Sequence, residues 1–140
     1  MAGIGLAVML CLAAATAGQQ ESEVVVIVAP TSGDQSVSRS TLRAIYGMRL
    51  HKWPDGTPIR VFVYRDEHPD HVAFSKSVLQ VFPHQLRQAW DRLVFSGLGQ
   101  YPEQVATPQE MLTRVSATPG AVGYVKSSEV NQNVHILQVH

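Results

Sequence analysis

VVVIVA, residues 24–29, is an uninterrupted run of apolar and mostly β-branched residues. β-branched side chains favour strands, and an apolar run without polar alternation is typical of a strand that is covered on both faces. Such strands lie in sheets that have helices packed on each side. The run therefore predicts a buried strand of an α/β domain.

Strand and helix signals alternate after this run. The clearest helix start is TPQE, residues 107–110, in which Thr107 is the predicted N-cap and Glu110 completes a capping box. Predicted helices follow Ser38 to Gly47, span 74–82 and 86–97, and run from Thr107 to about 117; predicted strands span 59–64, 121–125 and 134–139. The order β-α-β-α-α-α-β-β predicts a layered α/β sheet with right-handed crossovers.

The ends of the first two predicted strands carry polar residues. In open α/β sheets, ligands bind beyond the carboxyl ends of the strands. We therefore expect residues 30–34 and 65–71 to share the functional edge. Thr31 and Ser32 offer hydroxyls that could hold an anion together with Arg65, or they form only a turn.

Length and charge limit the class of protein. A chain of 140 residues suits one domain, and eleven acidic and eleven basic side chains cancel to a formal net charge of +0. Without a net field, nucleic acid and bulk membrane surfaces are poor candidates for the main partner.

The first seventeen residues differ in composition from the rest. Residues 1–17 carry no charged side chain, and the apolar run 4–15 is shorter than the roughly 20 residues of a membrane span. Ala15-Thr16-Ala17 matches an A-x-A cleavage site. We expect residues 1–17 to be a signal peptide and residues 18–140 to be one periplasmic or secreted domain; a buried N-terminal helix is the alternative. Cys11, the one cysteine, falls in this segment, so the mature domain would have no disulfide and no thiol chemistry.

Five segments, taken in order, resemble the phosphate-type periplasmic binding proteins of ABC transporters. They are STLRAIYG at 40–47, WPDGTP at 53–58, VFVYR at 61–65, FSG at 95–97 and PGAVGYV at 119–125. The resemblance covers about residues 24–139. It implies a type II periplasmic-binding-protein-like fold, as a single lobe with a mixed, mainly parallel sheet and helices on both faces.

The resemblance also implies a place for an anion. In that family an oxyanion lies between two lobes, and the second lobe, to which this chain corresponds, supplies an arginine and a Gly-Ser-Gly-Thr turn that opens a helix. Arg65 matches the arginine, whereas DEHPDH at 66–71 replaces the turn, and Pro69 lacks an N–H donor. The implied ligand is a small oxyanion such as phosphate, with protonated His68 and His71 offsetting the carboxylates of the loop.

The same loop admits two other interpretations. Arg65 could form a surface salt bridge to Asp66, Glu67 or Asp70 in place of binding an anion. Glu67, His68 and His71 could ligate zinc or copper, but two histidines three residues apart across a proline are a pattern of low specificity. We expect a solvated loop that caps a helix through Asp70, with no metal and no cofactor.

Catalysis finds no support in the motifs. Outside the expected signal peptide there is no cysteine, no G-x-S-x-G elbow and no glycine-rich phosphate loop. We therefore expect a non-catalytic extracytoplasmic solute-binding module, related to phosphate ABC transporter proteins, that binds phosphate or another oxyanion weakly. The alternative is a scaffold or protein-interaction domain that has lost ligand binding. In either case the surface that would face a second lobe is open to a homodimer or a protein partner.

Overall fold

The computed structural model describes Gly3, residues 23–30 and residues 36–140. Apart from Gly3, the expected signal peptide lies outside the described residues, and so do Thr31 and Ser32. Among the described residues, no helix combines the length and the apolar character that a bilayer crossing requires.

The described residues form seven strands and four α-helices. The strands are β1 (Val24–Val28), β2 (Ser36–Val37), β3 (Arg60–Val63), β4 (Glu103–Gln104), β5 (Ala121–Lys126), β6 (His135–Ile136) and β7 (Gln138–Val139). The helices are α1 (Arg39–Tyr46), α2 (Pro69–Ala73), α3 (Pro83–Phe95) and α4 (Pro108–Ala117). A π-helical segment (Phe74–Leu79) continues α2, and a 3₁₀ turn (Ser127–Glu129) follows β5.

The main sheet is mixed and mainly parallel, as the sequence predicts. Its strand order is β4-β3-β5-β1-β6, while β2 and β7 form a separate parallel pair. β3 runs parallel to β4 and β5, and β1 runs antiparallel to both β5 and β6. β1 is thus the one strand of this sheet that runs against the other four. The predicted α/β class is confirmed.

Helices cover both faces of the sheet. Successive residues of a strand point to opposite faces. An added Cβ on Gly123 in β5 would lie 2.6 Å from the Met111 sulfur, so this face packs against α4. The next residue, Tyr124, stacks on Phe74 of the π-helical segment with ring centroids 4.0 Å apart. The two layers enclose the apolar run of β1, in which Ile27 is completely buried.

The direction of β1 corrects one expectation. Val28, at the end of β1, pairs with Val122 near the start of β5, and Arg60, at the start of β3, pairs with Ala121. The carboxyl end of β1 therefore lies beside the starts of β3 and β5, at the opposite end of the sheet from Arg65. The expectation that the carboxyl ends of the first two predicted strands share one edge is wrong, because a buried apolar run looks the same in either strand direction. Of residues 30–34, only Pro30 lies within the described residues.

The predicted N-caps of two helices hold, but the predicted capping box does not form, because the Glu110 carboxylate accepts the Ala106 N–H at 2.9 Å and not the Thr107 N–H. The Ser38 hydroxyl accepts the Thr41 N–H at 3.0 Å, and the Thr107 hydroxyl accepts the Glu110 N–H at 3.1 Å, so both predicted N-caps are confirmed. The helix predicted at 74–82 differs, because it begins earlier as α2 and ends at Leu79. Gln80 adopts a left-handed conformation with φ 57°, which stops the helix.

Candidate functional site

The turn between β3 and α2 brings Arg65 and His68 together. The His68 backbone N–H donates to the Arg65 carbonyl oxygen at 3.0 Å, which closes the turn. His68, and not the expected Asp70, is the N-cap of α2, and Pro69 is the first helical residue. Both side chains therefore lie at the carboxyl end of β3, where the sequence predicts the anion site.

Within the described residues, the Arg65 guanidinium is exposed and forms no ion pair with a carboxylate. Two of its three expected partners, Asp66 and Asp70, pair elsewhere. Asp66 accepts two hydrogen bonds from Arg87 at 2.8 and 2.9 Å, and these hold the pKa of the Asp66 carboxyl below its usual value. Asp70 lies 3.7 Å from the Lys126 ammonium. Arg65 is thus left with free donors at this edge.

The start of α2 is occupied by groups of the chain itself. The Asp70 N–H donates to the His68 Nδ1 at 3.1 Å, and Pro69 has no N–H. The Asp70 side chain is only 7% exposed, and its carboxylate puts a negative charge beside these positions. An anion at this helix start would meet a carboxylate and few free backbone donors, in contrast to the cradle that helix starts usually offer.

His68 keeps one donor for the solvent side. Because its Nδ1 accepts a hydrogen bond, the neutral imidazole carries its proton on Nε2. The ring stacks on Tyr64, with centroids 4.1 Å apart and planes 14° from parallel. This stacking orients the imidazole, so the edge presents the Arg65 guanidinium and one imidazole N–H.

His71 points into the core and away from this edge. It is completely buried, and its Nδ1 is hydrogen-bonded to the Tyr124 hydroxyl at 2.5 Å. The same hydroxyl accepts the Tyr64 backbone N–H at 3.0 Å. Burial lowers the pKa of His71, and Arg87 lowers it further, whereas Asp66 acts in the opposite direction. His71 is therefore neutral at physiological pH and forms a buried polar cluster with Tyr124 and Tyr64.

Sequence reasoning assigned no role to the two tyrosines of this cluster. Tyr64 directly follows β3, and Tyr124 lies within the PGAVGYV segment, so both fall in stretches that the family resemblance singles out. Burial raises the pKa of Tyr124 well above its usual value, so the hydroxyl keeps its proton. The signal that could have revealed the cluster is a tyrosine between apolar residues of a buried strand, because a buried hydroxyl needs a partner.

A pH dependence of stability follows from the burial of His71. The native pKa lies below the ordinary value of 6.5, so just below pH 6.5 the unfolded chain binds more protons than the native state. The contribution of His71 to the free energy of unfolding is expected to fall as the pH drops below about 6.5, and to level off below the lowered native pKa of His71. Urea unfolding of the wild type and of His71→Gln between pH 7.5 and pH 5 measures this contribution, because glutamine does not titrate. The acid-side loss should be smaller in His71→Gln, and equal losses in both proteins would contradict the assignment.

The alternative interpretation of Glu67, His68 and His71 as metal ligands gains no geometric support. Glu67 is exposed, whereas His71 is buried against Tyr124, so these side chains point to different places. In the part of the chain that the structure describes, no three His, Cys, Asp or Glu side chains come close enough to hold a metal ion.

The chain belongs to the PBP superfamily domain family, whose model matches residues 21–136. No curated protein matches this sequence. The family match thus confirms the resemblance that the sequence motifs indicate. Solved structures confirm the fold.

Several solved structures share this fold. Three of them are an ABC-type phosphate transport receptor from Vibrio cholerae (TM-score 0.62, 17% identity), a protein from Clostridium perfringens crystallised with bound phosphate (0.68, 17%) and PstS from Borrelia burgdorferi (0.64, 16%). Each match covers 84% of this chain and 46%, 45% and 47% of the other chain, respectively. This chain therefore spans about half the length of these relatives, and at such low identity the likeness shows the fold alone.

Proposed function

We propose that this chain is a non-catalytic, extracytoplasmic module of the PBP superfamily that acts by contact with another protein, without enclosing phosphate. The proposal rests on the start of α2. There His68 accepts the Asp70 N–H, Pro69 supplies no donor, and the Asp70 carboxylate is buried nearby. A phosphate at this position would need donors that the chain has already used, and it would be repelled by the buried charge.

The extracytoplasmic location is part of the proposal. It rests on the apolar segment of residues 1–17 with its A-x-A site, which we take as a signal peptide preceding a domain of residues 18–140. The non-catalytic character rests on the motifs that the sequence lacks and on the family, which is one of solute-binding domains. A neutral, buried His71 bonded to Tyr124 is also poorly placed to exchange protons with a substrate.

Weak oxyanion binding at Arg65 is the second candidate. One observation favours it: the Arg65 guanidinium is exposed, has no carboxylate partner among the described residues, and shares its turn with the Nε2 donor of His68. Two donors from two side chains can contact a phosphate or sulfate from one side. Without backbone donors from the helix start, such a contact would be weak and easily screened by salt.

A thermal-shift titration separates these two candidates. A ligand that binds only the native state stabilises it by mass action, by about 2.7 kcal/mol at one hundred times its Kd. We expect sodium phosphate to give no melting-temperature shift beyond that of sodium chloride at the same ionic strength. A small phosphate-specific shift that Arg65→Ala abolishes would favour the oxyanion contact. A large saturating shift at submillimolar phosphate would contradict the proposed function.

A further inference from the structure

A groove lies between the end of α1 and the second half of α3, away from the Arg65 turn. Its volume is about 340 Å³. Gly47 has no side chain and Ala89 has only a methyl group, so the space between the two helices stays open. Leu93 and Leu98 line it with apolar surface, so its lining is mainly apolar.

Two arginines flank this apolar surface. Arg49 and Arg92 both line the groove, and both residues are exposed. In the described part of the chain neither forms an ion pair with a carboxylate, and no Asp or Glu lines the groove. The nearest acid in sequence, Asp91, accepts a hydrogen bond from the Tyr101 hydroxyl at 2.7 Å. The groove thus combines an apolar floor with unpaired positive charge.

The apolar surface continues beyond the groove. Leu98 is 77% exposed, and Phe95, one turn after Arg92 on α3, is 84% exposed. Large apolar side chains at this level of exposure are costly to keep in water unless they contact something. Phe95 lies outside the lining of the cavity, three residues after the lining residue Arg92, so an occupant that also covers Phe95 would be an extended segment and not a small molecule.

We propose that this groove is a docking site for an acidic, apolar segment of a partner protein. Leucine- or phenylalanine-like side chains of the segment fill the space over Leu93 and Leu98, while its carboxylates pair with Arg49 and Arg92. The inference rests on the proposed function, action by contact with another protein, and it names the surface and the chemistry of the partner.

Charge argues against a second copy of the chain as the occupant. A two-fold dimer presents the same patch on both subunits. Such an arrangement here would bring Arg49 and Arg92 towards their own copies, and none of the described residues that line the groove carries a carboxylate that could offset them. A partner segment that carries both apolar side chains and carboxylates can cover the apolar surface and pair with the arginines. In protein interfaces, buried apolar side chains commonly anchor the partner, and charged groups provide electrostatic complementarity.

Selection from a random peptide library tests the inference. A display library of peptides about 12 residues long is selected on the immobilised full chain, and the Kd of enriched peptides is measured by fluorescence anisotropy. We expect enriched peptides to combine Asp or Glu with Leu, Ile or Phe, and to bind more weakly as salt is raised. Binding should weaken about tenfold with Arg92→Glu and with Leu98→Ala, and change by less than about twofold with Lys76→Glu.

The Lys76→Glu control changes the net charge by the same amount as Arg92→Glu, but on an exposed residue of the π-helical segment that does not line the groove. Circular dichroism of each variant is used to check that it is folded. A peptide whose Glu is replaced by Lys should recover affinity for Arg92→Glu, which a purely structural effect of the substitution would not produce.

Other results overturn the inference. The inference is wrong if no peptide is enriched, or if the enriched peptides lack acidic residues. It is also wrong if the groove variants bind the enriched peptides as tightly as the wild type does. A concentration-dependent dimer in sedimentation that Arg92→Glu strengthens would assign the groove to a second copy instead. The phosphate titration and the peptide selection test the two proposals separately. A large melting-temperature shift with phosphate contradicts the proposed function, whereas peptide binding that the groove variants do not change contradicts only the docking site.

Discussion

Replacing Gly120 with alanine is expected to lower the free energy of unfolding by about 4 kcal/mol, because strain and overlap add at this position. Gly120 has φ +74°, and an added Cβ would lie 2.1 Å from the Pro58 carbonyl oxygen. The backbone cannot easily move away, since the Gly120 carbonyl accepts hydrogen bonds from the Trp53 indole at 3.0 Å and from the Arg60 N–H at 3.1 Å. Urea unfolding followed by tryptophan fluorescence measures the loss.

Gly97→Ala is the matched control. Gly97 has the same φ of +74°, but an added Cβ would meet nothing within 4 Å. It should cost only about 1 kcal/mol, the penalty of a left-handed conformation for alanine. A Gly120→Ala chain that fails to fold while Gly97→Ala folds supports the same conclusion. Equal losses of unfolding free energy at the two positions would show that the overlap with Pro58 does not contribute to the effect of Gly120→Ala.

Tyr124→Phe is expected to lower the free energy of unfolding by about 2 kcal/mol, although the ring and its stacking on Phe74 are kept. The missing hydroxyl accepts the Tyr64 N–H and bonds the His71 Nδ1. Both groups are buried, so after the substitution each stays without its partner and loses its solvation as well. The loss can be measured by urea unfolding at pH 7.5, where His71 is neutral.

Tyr46→Phe is the control for this prediction. Tyr46 is as deeply buried as Tyr124, but among the described residues its hydroxyl has no hydrogen-bond partner. Removing it should leave stability unchanged or raise it slightly, because no buried group loses a partner. If Tyr46→Phe proved as damaging as Tyr124→Phe, loss of a buried hydroxyl by itself would explain both, and the cluster with His71 would carry no special weight.

Much of the secondary structure was predictable because its causes are local. The Ser38 and Thr107 caps each depend on a hydrogen bond to a residue three positions away, and such bonds form wherever the local sequence allows. The π-helical segment was not predictable from spacing, because apolar residues at 74, 78 and 81 fit an ordinary helix as well. Its end at Gln80 depends on a left-handed residue that is not glycine.

The candidate site was predictable in position but not in its partners. A strand that ends in Arg65, followed by a polar loop, indicates a ligand edge in an α/β sheet. Which acids would pair with Arg65 could not be inferred, because Asp66 takes Arg87, 21 residues further along the chain. Asp70 likewise takes Lys126 at the end of β5. These pairings depend on how α3 and β5 pack beside the loop.

The sequence by itself determined the buried run of β1, the starts of α1 and α4, the family and the place of Arg65, because these follow from composition, short-range bonds and ordered motifs. Only the tertiary structure decided that β1 runs against the other four strands, since its apolar run satisfies either direction. The tertiary structure likewise turned His71 from a loop ligand into a core residue bonded to Tyr124, and set Gly47 against Ala89 to open a groove. Each of these outcomes depends on contacts between residues far apart in the chain, which no local pattern encodes.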